Sequence, residues 1–92
     1  MAKYDEKLID TSEVFKALSH PARLCIVNKL KAGDLSVGQM RECLDASQSN
    51  ISQHLSILKN KKIIYGERVG SEVIYSLVDE RMIRLIDIFL NS

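Results

Sequence analysis

Just beyond residue 61 the hydrophobic period of this 92-residue chain shortens, and near residue 79 it lengthens again. Apolar residues recur every three to four positions before the change and at alternate positions after it, a helical period giving way to that of a strand. Such a chain must insert β-structure between helices. Ile64 to Arg68 and Glu72 to Leu77 read as two strands around Val69-Gly70-Ser71, with Tyr65, Val73, Tyr75 and Leu77 supplying β-favouring side chains. A lone hairpin is marginal in water, so it must pack on the helices around it.

The helices can be read in turn. Residues 5–18 form the first, with Leu8, Val14, Phe15 and Leu18 as apolar positions, and Ser19-His20-Pro21 breaks it. Pro21 suits the first position of the second helix, which runs to about Lys31 through Leu24, Val27 and Leu30. Gly33 reads as its left-handed cap. Ser36 caps a short third helix over residues 37–44, a three-residue turn follows, and Ser47 caps a fourth helix reaching about Lys61. Asp79 caps the last helix, which is apolar around more than half its circumference through Met82, Ile83, Leu85, Ile86, Ile88, Phe89 and Leu90. The order α-α-α-α-β-β-α predicts a mainly α (α+β) chain, a winged helix-turn-helix occupying residues 1–92 as one domain. The helix-turn-helix spans about 36–61, the wing about 63–77, and helices 5–18 and 79–91 are left to dimerise.

The fourth helix carries the functional signal. Ile51, Leu55 and Leu58 share one stripe, while Ser49, Ser52, Gln53, Ser56 and Asn60 fall roughly opposite. Ser and Asn are mediocre in a helix interior, so this face is not built for helicity. Short hydrogen-bonding side chains of this kind can reach base edges and phosphates. From Ala46 to Gly66 there is no Asp or Glu, and Lys59, Lys61 and Lys62 cluster at the helix end. With 13 basic and 12 acidic residues the net charge is only +1, so any basic patch is local. A solvated helix, or a winged helix that meets protein instead of DNA, is the competing reading.

No apolar run reaches the length of a membrane span, and the first residues lack a signal peptide's apolar core, so a cytoplasmic protein without membrane partners is expected. Cys25 and Cys43 are then expected as reduced thiols. No nucleophile–base pair, phosphate loop or metal constellation is evident, so neither an enzyme nor a cofactor is expected.

Three segments resemble the ArsR/SmtB repressors: Ala17-Leu18-Ser19-His20-Pro21-Ala22-Arg23-Leu24, Leu35-Ser36-Val37-Gly38-Gln39-Met40, and Ser47-Gln48-Ser49-Asn50-Ile51-Ser52-Gln53-His54-Leu55. The wing ending Val73-Ile74-Tyr75-Ser76-Leu77 is similar to theirs as well. The resemblance covers roughly residues 12–90. It implies a homodimeric repressor on double-stranded DNA, bound to an inverted-repeat operator and released by an effector. It places base reading on Gln48, Ser49, Ser52 and Gln53, and backbone contacts on Ser36, Ser47, His54, Lys59, Lys62, Arg68 and Ser71. The dimer it implies uses the first and last helices, here Phe15, Met82, Leu85, Ile86 and Phe89. Metal-sensing members carry Cys-Val-Cys where this chain has Ser36-Val37-Gly38, and no histidine lies beyond His54, so no metal site is expected. Thiol-sensing relatives use cysteines in the second and last helices, and the last helix here has none. Cys25 and Cys43 are therefore either small packing residues or a thiol sensor of new pairing, which requires Cα atoms within about 7 Å.

Overall fold

A computed structural model describes residues 3–44 and 50–91. Its elements are α1 (Glu6–Leu18), α2 (Pro21–Leu30), β1 (Leu35–Ser36), α3 (Val37–Met40) running into a 3-10 turn (Arg41–Cys43), α4 (Ile51–Asn60), β2 (Ile64–Val69), β3 (Glu72–Leu77) and α5 (Arg81–Leu90).

Each helix starts where its first residues give the backbone N–H groups an acceptor. Asp5 accepts from the N–H of Lys7 at 2.7 Å, and the His20 ring nitrogen Nδ1 accepts from the N–H of Ala22 at 3.0 Å with Pro21 as first helical residue. The Asp79 carboxylate accepts from the N–H of Arg81 at 3.1 Å and also holds its guanidinium, which keeps the Asp79 carboxyl below its ordinary range. Four expectations need correction. The third helix is α-helical only to Met40 and tightens into the 3-10 turn. The fourth begins at Ile51 with Asn50 as its cap, whose Oδ1 accepts from the N–H of Gln53; Ser47, expected there, lies outside the described residues. Gly33 has φ +155° and is not a left-handed cap; Ala32 and Gly33 instead donate to the carbonyls of Lys29 and Leu30. Cys25 and Cys43, expected as reduced thiols, are joined in a disulfide with Cα atoms 5.5 Å apart.

The hairpin pairs Ile64 with Leu77 through Val69 with Glu72 around a two-residue loop. Gly70 opens that loop at φ +65°, the left-handed backbone that tight hairpin loops demand. Leu35 and Ser36 add a third strand, opposite Tyr75 and Ile74, so the sheet order is β1-β3-β2. Gly66 lies beneath the Tyr75 ring, where a Cβ would come within 2.8 Å of Cε1.

One core joins the parts. Leu18, Ile26, Val27, Leu30, Met40, Ile51, Leu55, Leu58, Ile63, Tyr75, Met82 and Ile86 form a buried cluster drawn from all five helices and the wing. The Ile51, Leu55 and Leu58 stripe is buried as its spacing requires. The N-terminal part of α1 stands clear of this core, with Leu8 and Ile9 exposed. The radius of gyration is 14.0 Å, whereas about 12 Å is usual for a compact chain of this length. Among the described residues no helix is long and apolar enough to cross a membrane.

Candidate nucleic-acid interface

With one stripe of α4 buried, its other side is fixed outward. Ser52, Gln53, Ser56, Lys59 and Asn60 are all exposed. Asn50 and Gln53 are bonded to each other twice, backbone N–H to Oδ1 and Nδ2–H to Oε1, so the Gln53 carboxamide is held at the start of the helix. An Asn-x-x-Gln spacing is a capping-box signature, and it marks Asn50 as a residue that the sequence reading missed. Gln48, Ser49 and Ser47, assigned to bases and backbone from the sequence, lie outside the described residues.

The C-terminal end of α4 carries the most informative backbone. Lys62 has φ +58°, the one positive φ at a non-glycine among the described residues. The N–H of Lys62 bonds the Lys59 carbonyl at 2.9 Å and that of Ile63 bonds the Leu58 carbonyl at 3.1 Å. These two bonds are a Schellman closure, in which the left-handed residue is usually glycine. A lysine there costs about 1–2 kcal/mol. Strain at one residue is tolerated where that side chain has a use. Lys61 is occupied otherwise, 3.6 Å from Glu13 of α1. Lys59, Lys62 and Arg68 have no acidic partner among the described residues, and all three are exposed. Ser71 is exposed at the hairpin loop beside Gly70.

Two residues assigned to the DNA backbone are engaged inside the protein. Ser36 is buried, and its N–H and hydroxyl both donate to Oε1 of Gln39, at 2.9 and 3.2 Å. This bonding is the capping box of α3, closed within the Ser36-x-x-Gln39 spacing, while β1 pairs Ser36 with Ile74 of β3, a pairing too short to be seen in the sequence. His54 is half-buried, its ring 4.5 Å from that of His20. The Arg23 guanidinium reaches the His54 Nδ1 at 3.2 Å while its Nε donates to the Ala17 carbonyl at 2.6 Å. A guanidinium can only donate, so His54 Nδ1 accepts and the proton of the neutral ring sits on Nε2. Burial lowers the pKa of His54 below its ordinary value, and the neighbouring His20 and Arg23 lower it further. Arg23 thereby ties α4 to the end of α1. It stood in plain view in the Leu18-Ser19-His20-Pro21-Ala22-Arg23 string, yet nothing in the spacing pointed to a partner 31 residues away.

A second surface, formed by α1 and α5, is apolar. Phe15 is 57% exposed and Phe89 76%, with Leu85 half-buried between them, and these side chains line a groove with Leu18, Leu24 and Leu90. Met82 and Ile86, which the resemblance places with the dimer residues, are buried in the chain's own core, and Ile86 also lines this groove. α5 is apolar on two sides, and the phase alone did not say which one faces inward. Among the described residues no group of three or more His, Cys, Asp or Glu is placed to hold a metal ion.

Comparison with known proteins gives this arrangement a family. Residues 20–65 match the model of the bacterial regulatory proteins of the arsR family. The chain is 42% identical over 66 residues to the transcriptional repressor SdpR of Bacillus subtilis, covering 72% of this chain and 73% of SdpR. It is 34% identical over 76 residues to the HTH-type transcriptional regulator NmtR of Mycobacterium tuberculosis, covering 83% of this chain but only 63% of NmtR. It superposes on the homodimeric winged helix-turn-helix DNA-binding domain from Mycobacterium bovis with a TM-score of 0.77 at 25% identity, covering 96% of this chain and 85% of that one. The chain belongs to the ArsR family of DNA-binding, winged helix-turn-helix transcriptional regulators.

Proposed function

We propose that this chain is a homodimeric repressor that reads an inverted-repeat operator with α4 and leaves it when an effector binds. The observation that carries the reading is the α4 face itself: an acid-free row of short polar side chains ending in a lysine held in a strained backbone. Ser52 and Gln53, with Gln48 and Ser49 before them, read base edges in the major groove. Lys59 and Lys62 hold phosphates beside the helix, Arg68 and Ser71 hold them from the wing, and Ser47 does so from the turn. His54 contributes through its Nε2–H, and Ser36 acts by closing α3 rather than by touching DNA. Gln53 must leave Asn50 to reach a base, so part of its contact energy is offset by that lost bond.

A second copy covers Phe15, Leu85 and Phe89. Such a twofold pair sets two α4 helices about 34 Å apart, one turn of DNA. An effector shifts repression only through its different affinity for the free and DNA-bound forms. The protein acts where the DNA is, in the cytoplasm. A protein-interaction module would present apolar anchors on α4, and the exposed side chains there are Ser52, Gln53, Ser56, Lys59 and Asn60. The test is binding to the promoter upstream of its own gene against random competitor. Ser52→Ala should relax sequence preference by about 1–3 kcal/mol. An equal loss on every sequence removes Ser52 from the readout set.

A further inference from the structure

Nothing in the proposed mechanism uses the cysteine pair. Cys25 sits on α2 and Cys43 ends the 3-10 turn, with their Cα atoms 5.5 Å apart and a disulfide between them. Both are half-buried, within reach of small reagents, and the fully buried α2 positions are Ala22, Ile26, Val27 and Leu30. Beside the bond, Lys29 of α2 pairs with Glu42 of the same 3-10 turn. One covalent link and one ion pair thus cross a single seam, between α2 and the end of the first helix of the helix-turn-helix. Seven residues after Cys43, Asn50 caps the recognition helix.

A protein that reads DNA works among cellular thiols that keep most cysteines reduced, so a disulfide there is transient and regulatory, not a permanent staple. We propose that Cys25 and Cys43 are a reversible oxidation site whose disulfide clamps the 3-10 turn of the helix-turn-helix onto α2 and thereby tightens DNA binding. The claim about binding rests on the DNA-reading function above; the clamp itself does not.

The chemistry balances with a peroxide as oxidant. One thiolate attacks a peroxide oxygen, the O–O bond breaks, and a sulfenic acid forms as water leaves. The second thiolate attacks that sulfur, the S–S bond forms, the S–O bond breaks, and a second water leaves. Two thiols and one hydrogen peroxide become one disulfide and two waters, the thiol protons passing into the waters. A small dithiol reverses the step by exchange, being oxidised to its own disulfide while both protein thiols are restored. After reduction the Lys29–Glu42 pair still spans the seam, so the turn loosens without leaving the domain.

The test compares the full chain after hydrogen peroxide and after dithiothreitol. Alkylation and intact mass should find no free thiol in the oxidised monomer and two in the reduced one. Amide hydrogen exchange over residues 41–44 should be slower when oxidised. Affinity for a selected duplex should be about tenfold higher when oxidised, an ordinary size for a coupling between two sites. Cys25→Ser and Cys43→Ser should each make exchange and binding indifferent to peroxide. Cross-linking only between chains, or identical exchange in the two forms, overturns the clamp. Equal DNA affinity in two forms that differ in exchange overturns the control of binding and leaves DNA reading intact. Absence of DNA binding in both forms overturns the DNA reading and its control together, while exchange still decides the clamp.

Discussion

Lys62→Gly should raise stability and weaken DNA binding at once, because the strain and the charge of Lys62 belong to different states. Lys62 is at φ +58° in the closure of α4, and glycine there relieves about 1–2 kcal/mol of left-handed strain. Glycine also gives the unfolded chain more freedom, which takes back about 0.5–1 kcal/mol. The net gain is about 0.5–1 kcal/mol. With an unfolding entropy of about 2.1 cal/mol/K per residue, this domain's Tm should rise by about 3–5 °C at fixed protein concentration. On DNA a dimer loses two phosphate contacts, so the slope of log K against log salt flattens by about 1.8. Between 50 and 200 mM salt the unsubstituted protein should therefore lose about twelvefold more affinity than the variant. Lys62→Ala removes the charge but keeps a Cβ, so it should flatten the salt slope without raising Tm. Calorimetry and a salt titration of DNA binding measure the two halves separately. A Tm that falls for Lys62→Gly refutes the strain argument, and an unchanged salt slope refutes the phosphate contact.

Other consequences follow from single contacts. Gly66→Ala should destabilise by about 1–3 kcal/mol in urea unfolding, because its Cβ would press on the Tyr75 ring. Phe89→Glu should sediment as a folded monomer, whereas Ile86→Glu should unfold the chain, since Phe89 is exposed and Ile86 is core; a dimeric Phe89→Glu places the interface elsewhere. The lowered pKa of His54 means that the unfolded chain takes up its proton first as pH falls. Stability from this group is complete above about pH 6.5 and declines as pH drops through the lower folded value. His54→Gln should remove that share of the decline in a series of Tm measurements, and an unchanged profile assigns the decline to other groups.

The helices and the hairpin were legible because each has a period, a cap or a turn glycine of its own. The stripe Ile51, Leu55 and Leu58 and the loop at Gly70 needed no tertiary knowledge. What stayed hidden depended on partners distant in sequence. Leu35 and Ser36 form a strand only because β3 is beside them. His54 is diverted by Arg23 and His20, which the corner between α1 and α2 delivers. On α5 two apolar sides compete for the core, and periodicity alone does not show that Met82 and Ile86 pack into it. The cap of α4 was misplaced for a local reason: Ser47 and Asn50 both suit a cap, and Gln53 three residues on favours Asn50.

The central claim is that α4 of a twofold dimer reads DNA. Selection from a random duplex library by the purified protein, followed by sequencing, tests it most directly. The selected duplexes should carry an inverted repeat with half-site centres about 10 base pairs apart, and Ser52→Ala should lose the half-site preference. Enrichment of no sequence, or of a single half-site without its inverted partner, would contradict it.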